Sequence, residues 1–319
     1  MQRDELKILQ LERLKETVDW AYKKSAYYQK SFDKAGVKPA DIKTLDDIKK
    51  FPFLTLTEIN REDSMDFLTL PLSSILRMSF VENSDAGLSV ANFYTKGDIV
   101  ENVEMMAHCL IAAKIYRGSV VGVIGDLADS RFMDVIYALE SMGVTVVPLG
   151  LNYHRRIKLL DTFPMDALIT TPKLAVQLTI QLQAVGKNIA DYPIKKIICL
   201  NVNNIQNPLQ NHIEERTASA VYNLFAPVEL GTAGMVFQCS STSGHHVQEE
   251  KFLVEIADFA SNEIFDDDEH MGELVITTLT AQARPLIRYR TRQAVRRMSG
   301  SCPCGRNLLR LATPFTKTF

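Results

Sequence analysis

The chain has little cysteine for its length, and what it has is not spaced for crosslinking. Cys109, Cys199, Cys239, Cys302 and Cys304 are an odd set of five in 319 residues. The disulfide framework of a small secreted domain is therefore excluded, and a reducing, cytoplasmic setting is expected. No apolar run approaches the roughly 20 residues that span a bilayer. The first residues, with Arg3, Asp4, Glu5 and Lys7, form no apolar signal core, so no membrane association is expected. An excess of one charge is also missing: 36 basic against 38 acidic side chains leave a net charge of −2. A general nucleic-acid binder would be basic, and the arginines from Arg284 to Arg310 come with no aromatic stacking platform or recognition-helix pattern. Internal repeats and low-complexity segments are absent too.

What is present is material for a large core, since 46% of residues are hydrophobic and only 23% charged. From Asp4 to about Lys34, Leu6, Leu9, Leu14, Val18 and Ala21 recur mostly at three- and four-residue spacing, which predicts an amphipathic helix or helix pair. From Gly97 onward strands and helices alternate. Helices are expected over 98–113, 130–142, 172–185 and 210–215, and strands over 119–124, 144–148, 167–170 and 195–200. That order predicts a parallel α/β core. Three regions are expected: a helical N-terminal part with a polar loop (1–96), the parallel core (97–225) and a mixed-strand part (226–319).

The most informative stretch runs from Gly272 to Gly305. Gly272-Glu-Leu-Val-Ile-Thr-Thr has the composition of a half-buried strand, with Leu274 and Ile276 on one face and Val275 and Thr277 on the other. Further on, Arg288, Arg290 and Arg292 stand two apart, so a strand would project them from one face. Such a face is either salt-bridged to carboxylates or an anion-facing wall. Between the strands, Asp266-Asp-Asp-Glu269 lacks the alternating spacing of a calcium loop and reads as a hairpin turn. Cys302-Pro-Cys304-Gly places two thiolates close together, and Cys239 and His246 supply two further ligands, with His245 the less favoured choice. Three thiolates and an imidazole would make a closed, structural zinc site with no position open to water; the alternative is ordinary buried or free cysteines, because the two halves lie far apart in sequence.

These segments resemble a known family. Phe252-Leu-Val-Glu-Ile, Gly272-Glu-Leu-Val-Ile-Thr-Thr-Leu-Thr, Pro285-Leu-Ile-Arg-Tyr-Arg-Thr-Arg and Cys302-Pro-Cys-Gly-Arg306 are similar to the phenylacetate-coenzyme A ligase family of adenylate-forming enzymes. So are Leu9-Gln-Leu-Glu-Arg-Leu and Phe32-Asp-Lys-Ala-Gly-Val near the N-terminus. The resemblance implies the large N-terminal domain of an AMP-binding fold, the same Cys and His zinc ligands, and ATP with magnesium and coenzyme A as cofactors. It also implies a metal-binding glutamate, here Glu229, displaced by an insertion after Tyr222-Asn-Leu. Tyr222 and Arg290 are the remaining nucleotide-site positions.

The chain departs from the family's pattern in several places. The phosphate loop, whose hydroxyls, amides and lysine wrap triphosphate, is replaced by Glu82-Asn-Ser-Asp-Ala-Gly-Leu-Ser89, with Glu82 and Asp85 adding negative charge and Leu88 at the lysine position. The adenine-contacting turn reads Asn201-Val-Asn-Asn204, a sequence whose asparagines tolerate left-handed turn geometry. The ribose-binding aspartate is Gln293, which offers one acceptor oxygen instead of two. The family's C-terminal lid domain, with its adenylation lysine, is expected to be absent. The expectation is a degenerate relative without ATP-dependent ligation that binds a small carboxylic acid, a coenzyme A-type ligand, a protein partner or a second copy. The alternative is an acid-coenzyme A ligase completed by a separate domain or chain.

Overall fold

A computed structural model describes residues 2–83, 88–241 and 244–314, the side chains of 82, 83 and 88 excepted. The loop positions singled out above, Glu82, Asp85 and Leu88, thus lie outside the described side chains. In chain order the helices are α1 (Arg3–Lys24), α2 (Ala26–Ala35), α3 (Leu56–Arg61), α4 (Lys96–Ala112), α5 (Ser130–Ser141), α6 (Tyr153–Thr162), α7 (Pro172–Gln183) and α8 (Gln210–Thr217). The strands are β1 (Arg77–Asn83), β2 (Leu88–Tyr94), β3 (Val120–Val123), β4 (Thr145–Pro148), β5 (Ala167–Thr170), β6 (Lys196–Asn201) and β7 (Ala220–Phe225). After them come β8 (Val236–Phe237), β9 (His245–Val247), β10 (Phe252–Ala257), β11 (Gly272–Thr278), β12 (Tyr289–Met298) and β13 (Arg310–Ala312).

Two compact units emerge. One is built from residues 79–90 and 102–245. Its strands run in the order β8-β7-β6-β5-β3-β4; β7, β6, β5, β3 and β4 pair in parallel, and β8 is antiparallel to β7. Every residue of β5 is buried and all but the first of β6. Burial of that kind follows from helices on both faces of a parallel sheet. Leu168, Ile197 and Val221 on the strands pack with Ala175, Leu178 and Leu182 of α7 and Ile213 of α8. The expected α/β alternation is present. α6 goes beyond the expected elements; its signals are Asn152, whose side chain accepts from Arg155 N–H, and buried Leu160 three residues after half-buried Ile157. From β3 the chain steps to β4 on one side and then returns to β5 on the other, so connections diverge beyond the carboxyl ends of β3 and β5. Open parallel sheets place ligand crevices at such a divergence.

The other unit comprises residues 1–78, 91–101 and 246–319. The helix pair expected near the N-terminus is α1 and α2, separated at Ser25, whose hydroxyl accepts from Tyr28 N–H. β10, β11, β12 and β13 form antiparallel neighbours in that order. Contrary to the half-buried expectation, all 7 residues of β11 are buried. The N-terminal segment reaches the chain on either side of this strand. Gln10 Nε2 donates to Glu249 O at 2.8 Å, Tyr28 Oη donates to Pro285 O and accepts from Ile287 N–H, and Leu54 exchanges backbone hydrogen bonds with Arg288 and Arg290. At the start of β11, a Cβ on Gly272 would lie 2.4 Å from Ala257 O, so this position requires glycine.

The three alternating arginines do not form one even face. β12 begins only at Tyr289, Arg288 and Arg292 have φ of 50° and 62°, and the β11–β12 register shifts between Glu273 and Val275. Arg288 is buried against Glu255, Arg290 is paired with Glu273 at 2.7 Å, and Arg292 is exposed. Carboxylates meet the first two, so the salt-bridged alternative describes them and the anion-facing wall does not.

Candidate functional site

Cys239 follows β8, His246 is the middle residue of β9, and Cys302 and Cys304 sit on the loop between β12 and β13. That loop closes tightly: Gly305 N–H donates to Cys302 O at 3.0 Å, with Gly305 at a φ of 79°. The Cys239, Cys302 and Cys304 sulfurs and a His246 ring nitrogen all lie within 4.8 Å of one another. Cys304 Sγ is 3.4 Å from His246 Nε2. His245 is buried as well, but outside the group. A tetrahedral zinc with bonds of about 2.3 Å to sulfur and about 2.0 Å to nitrogen sets neighbouring donor atoms roughly 3.4–3.8 Å apart; the Cys304–His246 spacing matches this, and the set as a whole, within 4.8 Å, needs only a small closure to hold such an ion. Burial, aided by the Arg306 and Arg310 guanidiniums, pushes the His246 imidazole down to about 4. It is therefore neutral near pH 7, the form that ligates a metal.

A second feature lies at the carboxyl ends of β5 and β6. A pocket of about 190 Å³ is lined by Arg131, Thr171, Lys173, Asn201, Asn203 and Asn207, among others. Asn201 Oδ1 accepts from Asn203 N–H at 3.1 Å, and Asn207 Oδ1 from Leu209 N–H at 3.0 Å. The Asn201–Asn204 turn is thus shaped by side-chain acceptance, and the left-handed geometry that asparagines tolerate is not used, since no asparagine among the described residues has a positive φ. Arg131 Nε donates to both oxygens of Asp129, at 2.9 and 3.0 Å, while Asp129 Oδ1 caps α5. Sequence reasoning missed Arg131 and Asn207. The available signals were Asp129-Ser-Arg at the start of a helix after a strand, and the turn pair Asn207-Pro208.

The remaining expected residues are dispersed. Glu229, 1% exposed, stands on the short turn Val228–Leu230 after β7. Tyr222 lies on β7, and burial raises its phenol above the usual range. Arg290 spends its guanidinium on Glu273 and on the carbonyls of Asp258 and Ser261. Gln293 is on β12, its N–H donating to Thr291 Oγ1 at 3.3 Å.

With this geometry in place, comparison with known proteins is decisive for ancestry. Phenylacetate-coenzyme A ligase of Escherichia coli strain K12 is 28% identical over 317 residues, covering 97% of this chain and 71% of its own length. The chain is a relative of the phenylacetate-coenzyme A ligases. The enzyme of the same name from Aromatoleum evansii is 29% identical over 313 residues, covering 97% of this chain and 70% of its own. No family model matches the chain. Among solved structures, 2-hydroxyisobutyryl-CoA ligase in the postadenylation state with R3-HIB-AMP has a TM-score of 0.87 at 20% identity, covering 97% of this chain and 67% of that one. An open conformation of the same ligase with 2-HIB-AMP and CoA also gives 0.87 at 20% identity, covering 98% of this chain and 69% of that one. These two likenesses establish an acid-CoA ligase fold for this relative. Among the described residues no helix is long and apolar enough to cross a membrane.

Proposed function

We propose that this relative of the phenylacetate-coenzyme A ligases is catalytically degenerate: a ligand-binding protein that keeps the fold, a structural zinc and a small pocket, without ATP-dependent ligation. The observation that carries the reading is the asparagine-lined pocket beside the Asn201–Asn204 turn. Its volume of about 190 Å³ falls below the roughly 300–1,000 Å³ of sites for drug-sized ligands, and the turn corresponds to the family's adenine contact. Gln293 at the ribose position and the acidic Glu82–Ser89 segment at the phosphate position add to it. Adenylyl transfer depends on positioned positive charge and metal, and losses at three such places are not restored by Arg290, whose donors are taken up by Glu273, Asp258 and Ser261.

Cys239, His246, Cys302 and Cys304 would hold the zinc, with all ligand positions filled by protein, so its part is to fix loops and not to activate water. A second reading stays in play because identity to the E. coli enzyme extends over 97% of the chain: an acid-coenzyme A ligase whose remaining domain comes from further sequence or another chain. Titration calorimetry with MgATP, followed by pyrophosphate exchange with phenylacetate, separates the two. The degenerate protein gives neither tight ATP binding nor acid-dependent exchange; either signal would restore the ligase reading.

A further inference from the structure

We propose that a cleft along α1 binds an aromatic α-amino acid, its ring on Trp20, its ammonium at Glu16 and its carboxylate at Arg13. This goes beyond the reading above and does not rest on it. Every lining residue belongs to the unit built from residues 1–78, 91–101 and 246–319, and none is a nucleotide, metal or asparagine-pocket position.

Room comes first. The cleft has a volume of about 870 Å³ and is bounded by α1, the first turns of α4 and residues 279–282 after β11. Clefts that take drug-sized ligands span roughly 300–1,000 Å³. Its apolar surface comes from Trp20, Leu70, Val100 and Leu279, and Val100 remains 47% exposed. Trp20, the single tryptophan of the chain, is half-buried and fixed at its edge, where Nε1 donates to Gln282 O at 3.3 Å. A fixed indole lining a cleft offers another aromatic ring a rigid partner.

The charges determine the class of ligand. Arg13, Glu16 and Trp20 stand three and four residues apart, so they share one stripe of α1, and all three line the cleft. Arg13 and Glu16 are placed to pair with each other, yet neither belongs to an ion pair; Arg13 gives only Nη1, to Glu250 O. Glu16 is exposed and Arg13 half-buried, so both charges are accessible to a guest. Glu101, also on the lining, is already neutralised by Lys251. A guest that is only anionic would face Glu16, and one that is only cationic would face Arg13 and the exposed, unpaired Lys96. A zwitterion satisfies both signs. From Glu16 to Trp20 the helix rises about 6 Å, a distance of the same order as that from the Cα of an aromatic amino acid, across its one-carbon link, to its ring. The backbone groups of Thr280 and Ala281, which make no hydrogen bond to the described residues, supply further acceptors for the ammonium.

Because Trp20 is the only tryptophan, its emission reports on this cleft directly. The full chain is titrated with phenylalanine, with phenylpropionate, which lacks the ammonium, with phenethylamine, which lacks the carboxylate, and with alanine, which lacks the ring. Phenylalanine should change the emission saturably, and each of the other three should bind about tenfold more weakly or worse, the loss expected for one hydrogen bond to a charged group or one aromatic contact. Glu16→Gln should weaken phenylalanine about tenfold and leave phenylpropionate unchanged, whereas Arg13→Gln should weaken phenylalanine and leave phenethylamine unchanged. Should a variant fail to fold, the ligand series on the parent gives the same discrimination. The proposal is overturned if phenylalanine gives no saturable change, if phenylpropionate or phenethylamine binds as well as phenylalanine, or if Glu16→Gln weakens phenylalanine and phenylpropionate alike. Binding of MgATP would remove the degenerate-relative reading and leave this inference standing, and failure here leaves that reading intact.

Discussion

Arg288 and Glu255 form a buried two-point ion pair, with Nε and Nη2 donating to the two carboxylate oxygens at 3.0 and 2.9 Å. The arginine is 3% exposed and the glutamate 5%. Arg288 Nη1 also reaches Lys49 O and Phe51 O at 3.0 and 2.7 Å, and the guanidinium stacks 3.9 Å from the Phe53 ring centre. Burial pushes the Glu255 carboxyl upward and Arg288 opposes it. One side chain thus ties β10, β12 and the segment before α3 together.

Because the pair is buried, removing one partner should cost far more than removing both. Arg288→Ala should lower unfolding stability by roughly 3–5 kcal/mol, with Arg288→Met combined with Glu255→Met losing much less. Urea unfolding of the single and double variants measures this. A single variant within about 0.5 kcal/mol of the parent would place the pair among ordinary surface contacts.

Elemental analysis of the purified protein should find one zinc per chain. Cys302→Ser and Cys239→Ser should each abolish stoichiometric binding and lower Tm, and a strong chelator should do the same to the parent, because metal binding energy is folding energy in such sites. Protein free of metal at unchanged Tm would contradict the assignment.

The metal-free protein should show a pH signature from His246. Its folded pKa, about 4, lies below the ordinary 6.5, so between these values the unfolded chain binds the extra proton. Stability from this residue is then fully present above about pH 6.5 and is lost as pH falls towards 4. His246→Gln in the same metal-free background should flatten that part of the curve; identical pH profiles for parent and variant would refute it.

Gly272→Ala should destabilise by about 2 kcal/mol or more, since the new Cβ meets the Ala257 carbonyl at 2.4 Å and must displace β10 or β11. Gly300→Ala is a useful control: nothing lies within 4 Å of its Cβ, and only its φ of 74° resists substitution. Thermal melts of the two variants should differ in that order.

Local pattern alone determined a good deal of this protein. The helix-and-strand alternation from residue 97 to 225 was legible because periodicity and capping residues act within a few positions, as Thr171-Pro172 does at the start of α7. The four zinc-type ligands were legible as residue types, and so was the kinship, in the Pro285–Arg292 run. Tertiary structure decided which distant groups meet. Gln10, Tyr28 and Leu54 reach residues more than 200 positions away, which no local pattern announces. Whether Arg288 and Arg290 face an anion or a carboxylate depends on Glu255 and Glu273, which lie on other strands and share no local pattern with them. The cleft beside Trp20 was equally invisible, because α1, α4 and the segment after β11 meet only in the fold. A sequence specifies what each side chain can offer; only the packed chain determines what is left to accept it.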